Sequence, residues 1–420
     1  MCPGRQTDQG TSFGGKALAS LRSGNLLIGQ SGGATAVINA SLVGAVEAAL
    51  NDTRIKGVYG MHYGIAGLLN EDLLDLRQQP DTLWPQLLYT PSAALGSCRY
   101  KLKEQDIEKA LTIFRRYDIR YLLYIGGNDS ADTAHRLALA ARKSNYELYA
   151  ISIPKTIDND LPFTDHSPGY GSAARFLATA TQDSTMNTLS MPSHYPVKII
   201  ETMGRNAGWL AASSALGKHD ESDAPHIILI PEQTFRAERF LAQVEEAYRR
   251  YGYVVVVASE ALRDEQGQAL GASGQVGVDA FQHPLLSGTA QALVELVKQE
   301  LHLRARFDKP GDFQRMSSRY ASPVDRQEAY LVGQEAVKAA LRGENDKMIT
   351  LVRHDEPTYH CSTGLVDLKN VANVQHLIPE TYFDAHNAMV TPAFYTYAQP
   401  LIGEPLTRYP RVDTTKVITL

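Results

Sequence analysis

The pattern of hydrophobic runs along this chain predicts an α/β protein, a mostly parallel sheet covered by helices and divided into two or three lobes. Two observations carry that prediction. From Asn25 onward, strand-sized apolar runs alternate with segments of helical periodicity. The 420 residues also exceed what one core accommodates, at roughly 150 residues per lobe.

The elements follow in order. A short buried strand is expected at 25–28, then a Gly/Ser loop, a helix over 35–50 and a strand at 55–59. A helix is expected over 105–117, because Ile107, Ala110, Leu111 and Phe114 recur at helical spacing. The strand 121–125 leads to a helix over 130–144 that carries Leu137, Ala140 and Ala141 on one face. Further strands are expected at 148–153, 197–201, 226–230 and 253–259. Helices are expected at 171–187, 207–216, 237–251, 288–301 and 326–341. From about residue 354 the chain is rich in Pro and Tyr and shows no period, so no element is predicted there.

Composition narrows the function. With 44% hydrophobic and 21% charged residues, wholesale disorder is excluded. A net charge of −5 argues against a nucleic-acid or anionic-membrane binder. No apolar run approaches the ~20 residues of a membrane span. The first 24 residues are polar, without a signal-peptide core, and are expected to form a flexible extension. Cys2, Cys98 and Cys361 are too scattered for a disulfide framework. The 12 histidines lack metal-ligand spacing, so His354, His360 and Cys361 read as incidental neighbours. The expectation is a soluble, cytoplasmic protein.

Four polar clusters stand where predicted strands run into helices, the place where such sheets bind ligands. Gly29-Gln30-Ser31-Gly32-Gly33 reads as a phosphate cradle, with a plain turn or a serine nucleophile elbow as alternatives. It is not a Walker loop, since no Lys-Ser or Lys-Thr follows the glycines. Gly126-Gly127-Asn128-Asp129-Ser130 is either a helix-capping turn or a second cradle with oxygen ligands for Mg²⁺. In Pro154-Lys155-Thr156-Ile157-Asp158-Asn159-Asp160, two carboxylates lie two residues apart beside a lysine. One suits proton abstraction, and the lysine suits charge neutralisation on a transferring group; a solvated loop is the plain alternative. Met203-Gly204-Arg205-Asn206 offers an arginine for a phosphate or carboxylate, and Glu260 a carboxylate at a strand's end. Taken alone, Arg306 and Arg315, in a basic stretch with Arg304, Lys309 and Arg319, read as a solvated face.

As an ordered set these motifs, together with Gly96-Ser97-Cys98-Arg99-Tyr100, Ser259-Glu260 and Phe313-Gln314-Arg315, resemble the phosphofructokinase family over about 25–341. The resemblance implies two Rossmann-like lobes with parallel-rich sheets. The donor lobe would comprise 25–169, completed by 314–364, and the fructose 6-phosphate lobe 170–313, with 365–420 packing back on it. It implies that Gly32, Gly33, Arg99, Gly127, Asn128, Asp129, Ser130 and Lys155 hold the phosphoryl donor, with Mg²⁺ at Asn128. Asp158 would be the base for the sugar's 1-hydroxyl, with Thr156, Ile157 and Asp160 beside it and Lys155, Asp129 and Arg205 assisting. Met203, Gly204, Arg205, Glu260, Arg306, Asp312 and Arg315 would hold the sugar phosphate. A homodimer or homotetramer is also implied.

In the same family, members using ATP carry Gly where Asp129 stands and usually Gly where Lys155 stands, whereas members using inorganic pyrophosphate carry Asp and Lys, as here. The charges agree: like- and unlike-charge contacts at ~4 Å differ by several kcal/mol at an effective dielectric of about 20. The chain departs from the family pattern at three positions. Asn128 stands where most members have Asp, Asp312 replaces a His, and Pro196 replaces an Arg that reaches a neighbouring subunit, with Lys198 close by. The competing expectations are an ATP-dependent enzyme, a silent phosphate-binding regulatory subunit, and a hydrolase built on Ser31.

Overall fold

The structure, a computed structural model, describes residues 23–271, 288–372 and 374–412. Cys2 and all but the last two residues of the expected N-terminal extension lie outside them. The chain opens with five strands: β1 (Gly24–Gln30), β2 (Ile55–Met61), β3 (Leu73–Asp75), β4 (Ile119–Gly126) and β5 (Tyr149–Pro154). Next come β6 (Val197–Thr202), β7 (Ile227–Leu229), β8 (Val254–Ser259) and β9 (Ala305–Asp308), then β10 (Lys347–Arg353) and β11 (Cys361–Asp367). A seven-stranded sheet runs β11-β10-β5-β4-β1-β2-β3, and a four-stranded sheet runs β7-β8-β6-β9. The small sheet is parallel throughout. In the large sheet only the outer pairs, β2 with β3 and β10 with β11, are antiparallel.

The parallel strands are continuous apolar runs because helices cover both of their faces. Leu26 and Ile28 pack toward the helices Ile38–Leu50 and Pro323–Leu341, while Leu27 between them packs toward Glu104–Arg116 and Asn128–Lys143. The first two helices cross at glycines. A Cβ on Gly44 would lie 2.1 Å from the Tyr330 carbonyl oxygen, and one on Gly333 would lie 2.1 Å from that of Ser41. In β8, Val255 and Val257 face a cluster with Tyr170, Trp209 and Leu210, and Val254 and Val256 face Phe240, Leu293 and Val297. Phe394, Tyr397, Leu401 and Ile402 join the Trp209 cluster, so the C-terminal part of the described chain folds onto the small sheet's helices.

Several boundaries differ from the sequence expectation. The helix expected from 130 begins at Asn128, and the one expected from 326 begins at Pro323, where Ser322 accepts from the Asp325 N–H at 3.4 Å. The single helix expected over 207–216 is an α-helical turn, Trp209–Ser213, followed by a 3₁₀ turn, Ser214–Gly217. Strands β3, β9, β10 and β11 were not expected; β3 is only three residues long, β9 is a charged, four-residue edge strand and β11 is mostly half-exposed, which removes the apolar run that marks a strand. No helix among the described residues is long and apolar enough to cross a membrane.

Candidate active site

The loops at the carboxyl ends of both sheets converge on one cleft of about 500 Å³. From the large sheet, β1 ends in the glycine loop, where the Ser31 N–H bonds the Ile125 carbonyl at 2.9 Å and Ser97 Oγ bonds the Gly32 carbonyl at 2.7 Å. Gly32 has φ +75°, a left-handed conformation that glycine adopts freely, and a Cβ there would stand 3.3 Å from Lys155 Nζ. β4 ends at Gly126, and the helix Asn128–Lys143 starts at once, which puts Asp129 in its first turn. Lys155 follows β5, is only 4% exposed, and donates from Nζ to the Gly33 carbonyl at 2.8 Å. Its ammonium therefore lies across the glycine loop, at the floor of the cradle.

The turn after Lys155 supplies the paired carboxylates. Thr156 bridges to Gly169, and its Oγ1 accepts from the Asp158 N–H at 3.1 Å, so the turn is fixed before Asp158 enters the cleft. From the small sheet, β6 ends at Thr202; the Met203 N–H then bonds Gln314 Oε1 at 3.0 Å, and Ser259 Oγ bonds the Gly204 carbonyl at 2.6 Å. Glu260 follows β8 and is held by its N–H to the Thr202 carbonyl at 2.9 Å. Arg315 reaches the glycine loop: its guanidinium would meet a Cβ placed on Gly33 at 2.6 Å.

Burial dominates the electrostatics. It pulls the Lys155 ammonium down to about 8, partly offset by the charge of Asp158. It also raises the buried Asp158–Asp160 pair above the usual carboxylate range, as do the negative charges of Glu260 on Asp158 and of Asp158 on Asp160. Glu260 is pushed up to about 7 by burial, with Lys309 opposing and Glu201 assisting. Perturbed groups of both signs in one cleft mark a site built for proton and charge transfer.

Two oxygen donors suit a divalent cation. Asn128 Oδ1 is buried with no hydrogen-bond partner among the described residues, and Asp129, the next residue of the helix, also lines the cleft. One or two protein oxygens are what Mg²⁺ uses when phosphate and water complete its shell, so these residues fit it. A second group, Asp165, His166 and Cys361, brings potential ligand atoms within 4.8 Å of one another. There, however, the imidazole nitrogens are engaged by Asp165 at 2.8 Å and Glu328 at 2.7 Å, and the thiol contacts Tyr359 Oη at 3.3 Å. His354 bonds Ser362 Oγ at 2.7 Å and stacks on His360.

The cleft lining takes in the expected donor residues Gly32, Gly33, Arg99, Gly127, Asn128, Asp129, Ser130 and Lys155. The expected turn residues Thr156, Ile157, Asp158 and Asp160 line it as well, and so do Met203, Gly204, Arg205, Glu260 and Arg315. Two expected residues are not brought in. Arg306, on edge strand β9, instead lays its guanidinium 3.5 Å from the centre of the Tyr195 ring. Asp312, just before the short helix Phe313–Met316, is exposed and pairs with Arg315 at 3.0 Å. Ser31, the residue on which a hydrolase reading would rest, is buried at 4% exposure and does not line the cleft. Sequence reasoning missed Arg263 and Gln375. Arg263 stands three residues beyond Glu260 with no motif of its own, and Gln375 comes from the aperiodic C-terminal region.

Comparison with known proteins agrees with this arrangement. A family model described as Phosphofructokinase matches residues 25–340. The pyrophosphate–fructose 6-phosphate 1-phosphotransferase of Halomonas elongata is 41% identical over 385 residues, 90% of this chain and 91% of the relative. The protein of the same name from Methylococcus capsulatus is 39% identical over the same length. A crystal structure of a pyrophosphate-dependent phosphofructokinase from Marinobacter aquaeolei superposes with a TM-score of 0.83 at 38% identity, covering 93% of this chain and 94% of that one. This chain belongs to the phosphofructokinase family.

Proposed function

We propose that the protein transfers a phosphoryl group from inorganic pyrophosphate to the 1-hydroxyl of fructose 6-phosphate, giving fructose 1,6-bisphosphate and phosphate, in a reaction that runs in both directions. The observation that carries this reading is the pairing of buried Lys155, bonded across the glycine loop, with Asp129 in the first turn of the adjoining helix. A helix N-terminus attracts a phosphate, and a carboxylate already there repels one. Asp129 therefore opposes the additional phosphate of a nucleotide, while Lys155 lends charge to a short donor that brings no adenosine binding energy. The homologues named for pyrophosphate use support the same donor.

In the proposed reaction, Asp158 takes the proton of the 1-hydroxyl, whose oxygen bonds to the near phosphorus as the bridging P–O bond breaks and phosphate leaves. Lys155 and Arg315, both in contact with the glycine loop, neutralise charge on the transferring group. Arg205 and Glu260 hold the acceptor's phosphate and hydroxyls from the small-sheet side. Mg²⁺ held at Asn128 would, when bound, supply charge neutralisation to the donor oxygens. Arg306 lies near the exposed Tyr195 and Phe307, which suits a face covered by a second copy in a cytoplasmic homodimer or homotetramer.

Phosphorus NMR on the purified chain with Mg²⁺ tests the reaction. Pyrophosphate and fructose 6-phosphate should convert to phosphate and the bisphosphate, and the products should convert back. Inertness toward this pair in both directions would overturn the reading.

A further inference from the structure

We propose that Asn159 and Tyr397 are positioning residues that fix the shape of the Asp158–Asp160 turn, so that a C-terminal segment beyond the matched family region sets the geometry of the proposed base. This rests on the reading of Asp158 as that base. Asn159 lies between the two cleft carboxylates, is 1% exposed, and has φ +55°, a left-handed conformation that persists only where the surroundings over-determine it. Its amide points away from the cleft. Asn159 Oδ1 accepts from the Ser167 N–H at 2.9 Å, and Nδ2 donates to Tyr397 Oη at 2.8 Å. The phenol in turn donates to the Asp165 carbonyl at 2.9 Å, so the amide and the hydroxyl each have one consistent orientation.

Tyr397 is itself held firmly. Its ring stacks on Tyr382 at 5.1 Å and lies under the Arg353 guanidinium, which also donates to the Tyr397 carbonyl at 3.0 Å. The same C-terminal region grips the next residue of the turn: the His376 N–H bonds the Asp160 carbonyl at 2.7 Å, and Trp209 Nε1 holds the His376 carbonyl at 2.9 Å. Both contacts come from residues beyond 340, where the family match ends. The segment that grips the turn also places Gln375 in the cleft lining.

Steady-state kinetics of Tyr397→Phe, Asn159→Gly and the double variant test the proposal, with Asp158→Asn as the control. Glycine accepts the left-handed backbone but loses both side-chain bonds. Because small displacements of a reacting group are costly, each single variant should lose ~10-fold in kcat, with KM for both substrates within about twofold of wild type. The double variant should be no worse than the poorer single, since both changes cut the same link. Wild-type kcat in Tyr397→Phe, losses that multiply in the double variant, or a KM change as large as the kcat loss would overturn the positioning role. Wild-type kcat in Asp158→Asn would instead overturn the base assignment.

Discussion

In the proposed reaction the Asp129 carboxylate, in the first turn of its helix, sets which donor is accepted, and the buried Lys155 ammonium, bonded to Gly33, sets what the glycine loop stabilises. The two residues should therefore fail differently. Asp129→Gly removes bulk and charge and should bring measurable ATP binding or turnover. Lys155→Gly should lower pyrophosphate turnover by ~10²–10³-fold without creating ATP use, the loss expected for a charge-assisted contact made mainly in the transition state. Calorimetric titration of ATP and donor kinetics check both, and an Asp129→Gly protein still blind to ATP would show that this side chain is not the barrier. Asp158→Asn should lower kcat by ~10²–10⁴-fold with little change in fructose 6-phosphate binding; near-normal kcat would remove its role as base. The pH profile of kcat/KM follows from the same groups. Asp158 must be ionised, so the rate falls with acidification through a value above the ordinary carboxylate range, where burial and Glu260 have raised it. Lys155 must be charged, so the rate falls again as pH rises through about 8. A profile flat from pH 5 to 9 would contradict both assignments.

Among the elements, one tie between the segment that follows the Asp158–Asp160 turn and the helix Pro323–Leu341 passes through His166, which is 2% exposed and bonded to Asp165 and Glu328. Burial opposes its protonation, but the charges of Glu328 and Asp165 outweigh burial and raise it to about 9. Since that exceeds the ordinary 6.5, the imidazolium's contribution to stability is complete below about 6.5 and is lost as pH rises through about 9. His166→Ala strands buried carboxylates and should cost ~3–5 kcal/mol at neutral pH. In urea titrations the gap from wild type should narrow above pH 9, and a gap that is absent or constant with pH would contradict the ion pair. None of this link was legible in the sequence, because His166 carries no motif and its partner lies 162 residues away. The glycine loops and the Lys155–Asp160 turn were legible because chemistry concentrated at strand ends has few structural uses. Arg306 and Asp312 were legible only as motif positions; strand geometry turns the first onto Tyr195 and leaves the second exposed beside Arg315.

For the whole molecule, parallel strands buried on both faces, such as β1 and β8, announce themselves as unbroken apolar runs. The edge strands β9 and β11 and the short C-terminal elements do not, since they are charged, half-exposed or held by aromatic contacts without a period. The region beyond residue 340 nonetheless supplies β10, which pairs with β5 in the large sheet, places Gln375 in the cleft lining and bonds Tyr397 to Asn159. Between the two sheets, loops from the large one and from the small one meet in a single cleft, and in the proposed reaction the donor would lie against the first and the acceptor against the second. The donor is therefore the point at which the whole account is exposed. The most direct measurement is kcat/KM of the wild-type chain with pyrophosphate and with ATP, side by side, at saturating fructose 6-phosphate and Mg²⁺. Turnover is expected with pyrophosphate and none detectable with ATP, and a preference for ATP would contradict the roles given to Asp129 and Lys155.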